Sequence, residues 1–125
     1  MKKIRVILLE PGKTAQVVEI ENTLEAKQEL VGGLIEIVHT FDDNICIIAN
    51  EEAKCFGADL NRGIKDERRN LSNVILGPAF ICGLTETGFT GLTTKQIPKY
   101  LQMFELPERF FSVMGKRVAI PYRPE

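Results

Sequence analysis

The residues best suited to chemistry are a polar group in mid-chain, Asn50-Glu51-Glu52 followed by Asn61-Arg62. Two adjacent carboxylates beside an arginine can hold a metal, a sugar or a phosphate. The group follows an apolar run, and the ends of buried strands are where binding sites are commonly built. The competing reading is structural. Glu51-Glu52 then forms a solvated turn, Arg62 clamps a loop, and Asn50 and Asn61 satisfy backbone groups. Asp42-Asp43 could join Glu51 or Glu52 around a divalent cation, but Asp-Asp-Asn is equally an ordinary hairpin connector.

Other chemistries are poorly supplied. His39 is the only histidine, and nothing in the spacing brings it to Cys46 or Cys55. Ser72 and Ser112 are the only serines, and neither lies in a GxSxG setting. Cys46, Cys55 and Cys82 are widely separated with no CxxC or Cys/His pattern, which disfavours zinc. Gly32-Gly33 follows a helical pattern instead of opening one, so it is no phosphate loop. No catalytic residue, metal or cofactor is expected. Two surface candidates remain. Arg62, Lys65, Arg68 and Arg69, with Lys116-Arg117, would suit RNA or an acidic protein; Phe110 and Phe111, near Met103 and Phe104, would suit a protein partner.

These residues need elements to position them. Ile4–Leu9 and Ala15–Glu21 read as a hairpin across Pro11-Gly12-Lys13-Thr14. Asn22 with Glu25 predicts a capped helix from Thr23 to about Val31, with Leu24, Ala26, Leu30 and Val31 toward the core and Gly32-Gly33 as its stop. Leu34–Phe41 and Asn44–Asn50 are the next strands. Ile45–Ala49 is apolar throughout, so it should be covered on both faces. Residues 61–73 read as a loop, and Val74–Leu84 as one long strand bulged at Gly77-Pro78. Thr93 with Gln96 predicts a second capped helix, whose Ile97, Tyr100, Leu101 and Phe104 share a face. Beyond Phe110, part of the tail is a candidate strand, and residues 121–125 are expected to be loose.

The chain has 125 residues, enough for one domain, and its 44% apolar and 26% charged content is that of a globular protein. The expected class is α+β: a mixed or mostly antiparallel sheet of about five strands with two helices. Net charge is −1, made of −3 over residues 1–50 and +2 over the rest. That balance argues against DNA and makes RNA a poor partner. No apolar run approaches the roughly 18 residues of a membrane span, and cysteines within apolar runs suit a reducing compartment, so the cytoplasm is expected.

Several short motifs appear in one order: Glu10-Pro11-Gly12-Lys13, Leu30 through Glu36, Phe41-Asp42-Asp43, Asn50-Glu51-Glu52 with Lys54 and Gly57, Asn61-Arg62, and Gly77 with Phe80-Ile81-Cys82-Gly83. In this order they resemble a family of small bacterial proteins known as a domain of unknown function (number 3846), found on phages, plasmids and integrative elements. Pro98 departs from it, standing where such sequences carry a charged helix former. The resemblance implies no activity, cofactor or catalytic residue. It does imply an accessory protein of a mobile genetic element. The expected function is therefore non-enzymatic binding or regulation through an unknown protein partner, with an anti-defence or host-modulating role. The alternative is a small-ligand-binding protein or enzyme using Asn50–Glu52 and Asn61-Arg62.

Overall fold

The structure, a computed structural model, describes residues 2–124. Ten strands and two helices follow the order β1 (Lys3–Leu9), β2 (Gln16–Glu21), α1 (Leu24–Val31), β3 (Ile35–Phe41), β4 (Ile45–Asn50), β5 (Leu60–Lys65), β6 (Leu71–Leu76), β7 (Ala79–Thr85), β8 (Gly88–Thr90), α2 (Gln96–Met103), β9 (Glu108–Val113) and β10 (Lys116–Pro121). All strand pairs are antiparallel. The main sheet runs β2-β1-β7-β4-β3, with β8 added to β7; β5-β6 and β9-β10 are separate hairpins. The class is α+β.

The alternating pleat divides the core in two. Ile45, Ile47 and Ala49 of β4 share one core with Ile7, Leu9, Ile64, Ile75, Ile81, Tyr100 and Phe104, beneath the β5-β6 hairpin and α2. Cys46 and Ile48 point the other way and meet Ile4, Val6, Val31, Phe80 and Cys82 under α1. Every residue of β4 is buried, as an unbroken apolar strand requires.

Side-chain hydrogen bonds cap α1 directly and close the turn that leads into α2, where Lys95 at the N-cap position makes none. Thr93 and Gln96 form the expected reciprocal box, Thr93 Oγ1 accepting from the Gln96 N–H at 3.2 Å and Gln96 Oε1 from the Thr93 N–H at 2.9 Å. At α1 the cap is Thr23 and not Asn22: Thr23 Oγ1 accepts from the Ala26 N–H at 3.1 Å. Asn22 is otherwise engaged. Its Oδ1 accepts from Lys27 Nζ at 2.7 Å, and its Nδ2 donates to the Phe89 carbonyl at 3.1 Å. Lys27 thereby becomes a buried residue of α1 beside Val31, whereas Leu24, expected in the core, is exposed. Gly32 ends the helix at φ 80, as predicted.

Three further expectations are corrected. The segment 61–73 is not a loop: Leu60–Lys65 and Leu71–Leu76 pair as a hairpin. The expected strand Val74–Leu84 is two strands in different sheets, broken at Gly77 (φ 69) and Pro78. Residues 121 and 122, expected in a loose tail, are held. Pro121 ends β10 opposite Glu108, the Tyr122 N–H donates to the Pro107 carbonyl at 3.0 Å, and the Arg109 guanidinium lies 4.3 Å from the Tyr122 ring centre. Glu125 lies outside the described residues.

The β9-β10 hairpin leans on β5. Glu108 Oε1 accepts from the Gly63 N–H at 2.7 Å, and a Cβ at Gly63 would come within 3.1 Å of the Ala119 Cβ. The close approach needs glycine at this position. Among the described residues no helix is long and apolar enough to cross a membrane.

Candidate functional site

The mid-chain polar group does not converge. Asn61 and Arg62 lie on β5 with side chains turned into the protein, where they are 0% and 1% exposed. The Asn61 amide donates to the carbonyls of Leu9 at 2.9 Å and Gly77 at 2.7 Å. Arg62 donates through Nε to the Phe104 carbonyl at 3.0 Å, and through its Nη atoms to Glu10 O at 3.2 Å, Lys13 O at 2.7 Å and Asn61 Oδ1 at 2.9 Å. One guanidinium thus ties β5 to the β1-β2 turn and to the end of α2. Burial weakens its hold on the proton, and Glu108 and Tyr122 partly restore it; arginine stays charged in any case. Three of these partners are backbone carbonyls and the fourth is the Asn61 side-chain oxygen, so four of the five guanidinium N–H groups are engaged within the fold. The clamp reading describes Arg62.

Asn50 is likewise structural in its bonding. It is 6% exposed, donates to the Val31 carbonyl at 3.2 Å and accepts from the Glu52 N–H at 2.8 Å, which joins the end of α1 to the turn after β4. Glu51 and Glu52 are exposed. Asn50 and Glu51 line a cleft of about 200 Å³ with Glu36, Lys54 and Asn73. Arg62 borders a different cleft, of about 360 Å³, with Glu108, Phe41 and Met103.

The remaining candidates are also accounted for by packing. Asp43 accepts from the Tyr100 hydroxyl at 3.1 Å and pairs with Lys99 at 3.6 Å, so it fastens α2 to the β3-β4 turn. His39 packs edge-on against Phe41 at 4.6 Å. Cys46 and Cys82 face each other across β4 and β7, Sγ to Sγ 3.9 Å, both buried and reduced. Their contact and their burial push the Cys82 thiol far up. Among the described residues, no three His, Cys, Asp or Glu side chains are grouped as a metal site would need.

The C-terminal hairpin is different. Cross-strand partners share a face, so Arg109 with Ile120, Phe111 with Val118, and Val113 with Lys116 project to one side. The other side, carrying Glu108, Phe110 and Ala119, leans toward β5. On the outward side Phe111 is 48% exposed and Val113 and Ile120 are each 51% exposed; Met114, in the turn, is 98% exposed. Phe110 is half-buried. The two aromatic candidates therefore take opposite faces, and only Phe111 is presented to solvent. Val113, Met114 and Ile120 were not singled out from the sequence. The hairpin's period-two pattern was the available signal, obscured by a Met-Gly turn in place of Asn-Gly.

A family model described as Domain of unknown function (DUF3846) matches residues 3–105, the β1 to α2 portion of the fold, and the β9-β10 hairpin lies beyond the matched segment. No curated protein and no solved structure matches the chain.

Proposed function

We propose that this chain, which belongs to the Domain of unknown function (DUF3846) family, is a protein-binding accessory module that docks its partner on the outward face of the β9-β10 hairpin. The observation that carries the reading is the row Phe111, Val113 and Ile120, each about half exposed, on a hairpin whose other side is anchored through Glu108 and Gly63. An aromatic flanked by aliphatics, rimmed by Arg109 and Lys116, has the composition of a binding patch: apolar centre, charged edge. The hairpin backbone is already paired, so docking requires little ordering. The small-ligand alternative has weaker support, because Arg62 spends its donors on backbone carbonyls. Three unpaired cysteines suit a reducing cytoplasm as the setting. Following the resemblance to proteins of phages and plasmids, the partner we envisage is a host or mobile-element protein, modulated by contact and not by catalysis.

Affinity capture from the native host tests this directly. A partner held by the wild-type chain should be retained by Glu51→Ala and lost with Phe111→Ser/Ile120→Ser, with melting temperatures unchanged. Loss of an aromatic anchor is expected to weaken binding by roughly 30-fold, about 2 kcal/mol. A partner retained undiminished by the hairpin variant would overturn the assignment.

A further inference from the structure

A second surface adjoins the same hairpin. Between β10 and the turn joining β5 to β6 runs a groove of about 630 Å³, walled by Lys65, Arg69, Lys116 and Arg117 over a floor that includes Leu71 and Ala119. No carboxylate lines it. Residues some 50 positions apart in sequence bring these four cations together. Lys65 alone is neutralised, by Glu108 Oε2 at 3.3 Å. Among the described residues, Arg69, Lys116 and Arg117 have no carboxylate within ion-pair distance. Of the turn's two acidic residues, Glu67 makes no ion pair among the described residues and Asp66 holds the turn itself. Asp66 Oδ1 accepts from the N–H groups of Arg68 and Asn70, each at 2.9 Å, which pins the turn that carries Arg69 at φ 66.

We propose that this groove binds a short run of carboxylates, an acidic segment of the partner protein. The proposal rests on the protein-docking reading for its occupant and adds the chemistry of what is recognised. Cations held around one concavity repel one another, and an anionic occupant relieves that repulsion. Arginine pairs bidentately with carboxylate, and the apolar floor suits the methylenes of glutamate side chains. A single-stranded nucleic acid fits less well. No aromatic side chain lines the groove for base stacking. A second copy of the chain would bring like charges face to face.

Titration of the isotope-labelled full chain, followed by NMR, is the test. The probes are a short oligoglutamate, a short oligouridylate and an oligolysine. Oligoglutamate should shift the amides of Arg69, Asn70, Lys116 and Arg117, more weakly as salt rises. Arg69→Glu/Arg117→Glu should weaken it at least about tenfold at unchanged melting temperature, Lys116→Gln by a smaller factor, and Phe111→Ser not at all. Absence of shifts at the groove, equal binding by the charge-reversed variant, or tighter binding of oligouridylate would each overturn the proposal. If oligoglutamate leaves the groove untouched while Phe111→Ser/Ile120→Ser still abolishes partner capture, the groove assignment alone falls. If oligoglutamate binds the groove but partner capture ignores the hairpin face, the docking face alone falls.

Discussion

The β5 strand and the β9-β10 hairpin lean on one another at Gly63, yet they place polar and apolar side chains in opposite ways. On β5, Asn61 and Arg62 are among the most deeply buried residues of the molecule. On the hairpin, Phe111, Val113 and Ile120 face outward. Burying a guanidinium is tolerable when its donors meet acceptors. Here the acceptors are carbonyls at the ends of β1 and α2, which also need partners. Exposing an apolar row has no such internal reason, and it is the feature on which the docking proposal rests. The comparison teaches that polar type located the fold's internal ties, and apolar type located its open surface.

The most severe way to break this comparison is Arg62→Ala. It takes the side-chain donor from the carbonyls of Lys13 and Phe104, leaves Glu10 O with only the Lys13 N–H, and loosens the β1-β2 turn, β5 and α2 together. Hydrogen bonds to charged groups contribute about 1.5–3 kcal/mol each and are not additive, so a loss of about 3 kcal/mol is expected. Thermal or urea unfolding would read it. Arg62→Lys should recover little, since one ammonium cannot serve three separated carbonyls. A change under about 0.5 kcal/mol would return Arg62 to the class of surface residues and reopen the ligand reading.

What the sequence disclosed, and what it hid, follows from the same physics. The two-faced burial of β4 was legible because Ile45-Cys46-Ile47-Ile48-Ala49 leaves no polar side. The Thr93–Gln96 box and the Gly32 stop were legible because capping is local. The β5-β6 hairpin was hidden. Its buried members include Asn61, Arg62 and Gly63, residue types that read as loop, and the acceptors that make their burial possible come from distant parts of the chain. The candidate site was half legible. Phe111 stood out by type, but its separation from Phe110 required knowing that residues 108–113 form a strand paired in one register. The basic groove was legible only as two unlinked charge clusters.

A smaller effect separates the thiols of the interior from the one outside. Cys82 is buried against Cys46, whereas Cys55 is exposed. The contact with Cys46 and burial raise Cys82 well above its ordinary value of 9.0. A raised folded value means its contribution to stability is complete below the unfolded value and declines as pH climbs above it. Above about pH 9 the unfolded chain gains an ionised thiolate that the folded chain resists, so stability should fall as pH rises further. Urea midpoints across alkaline pH test the decline, and removing both buried thiols, in Cys46→Ala/Cys82→Ala, should flatten it. A decline unchanged in the double variant would place the alkaline loss elsewhere.

The smallest expected effect sharpens the comparison within three consecutive residues. Asn50 is buried and bonded on both sides of its amide, while Glu51 and Glu52 point into solvent from the turn that Asn50 holds. Glu51 contributes a backbone N–H to the Leu34 carbonyl at 2.8 Å, a bond that any side chain preserves. Glu52 likewise offers its N–H, not its carboxylate, to Asn50. Glu51→Ala and Glu52→Ala should therefore each change unfolding free energy by less than about 0.5 kcal/mol, with no change in the urea dependence. A larger loss in either variant would mean that the carboxylate itself is engaged. That carboxylate would then share the structural part that Asn50 now holds in this turn.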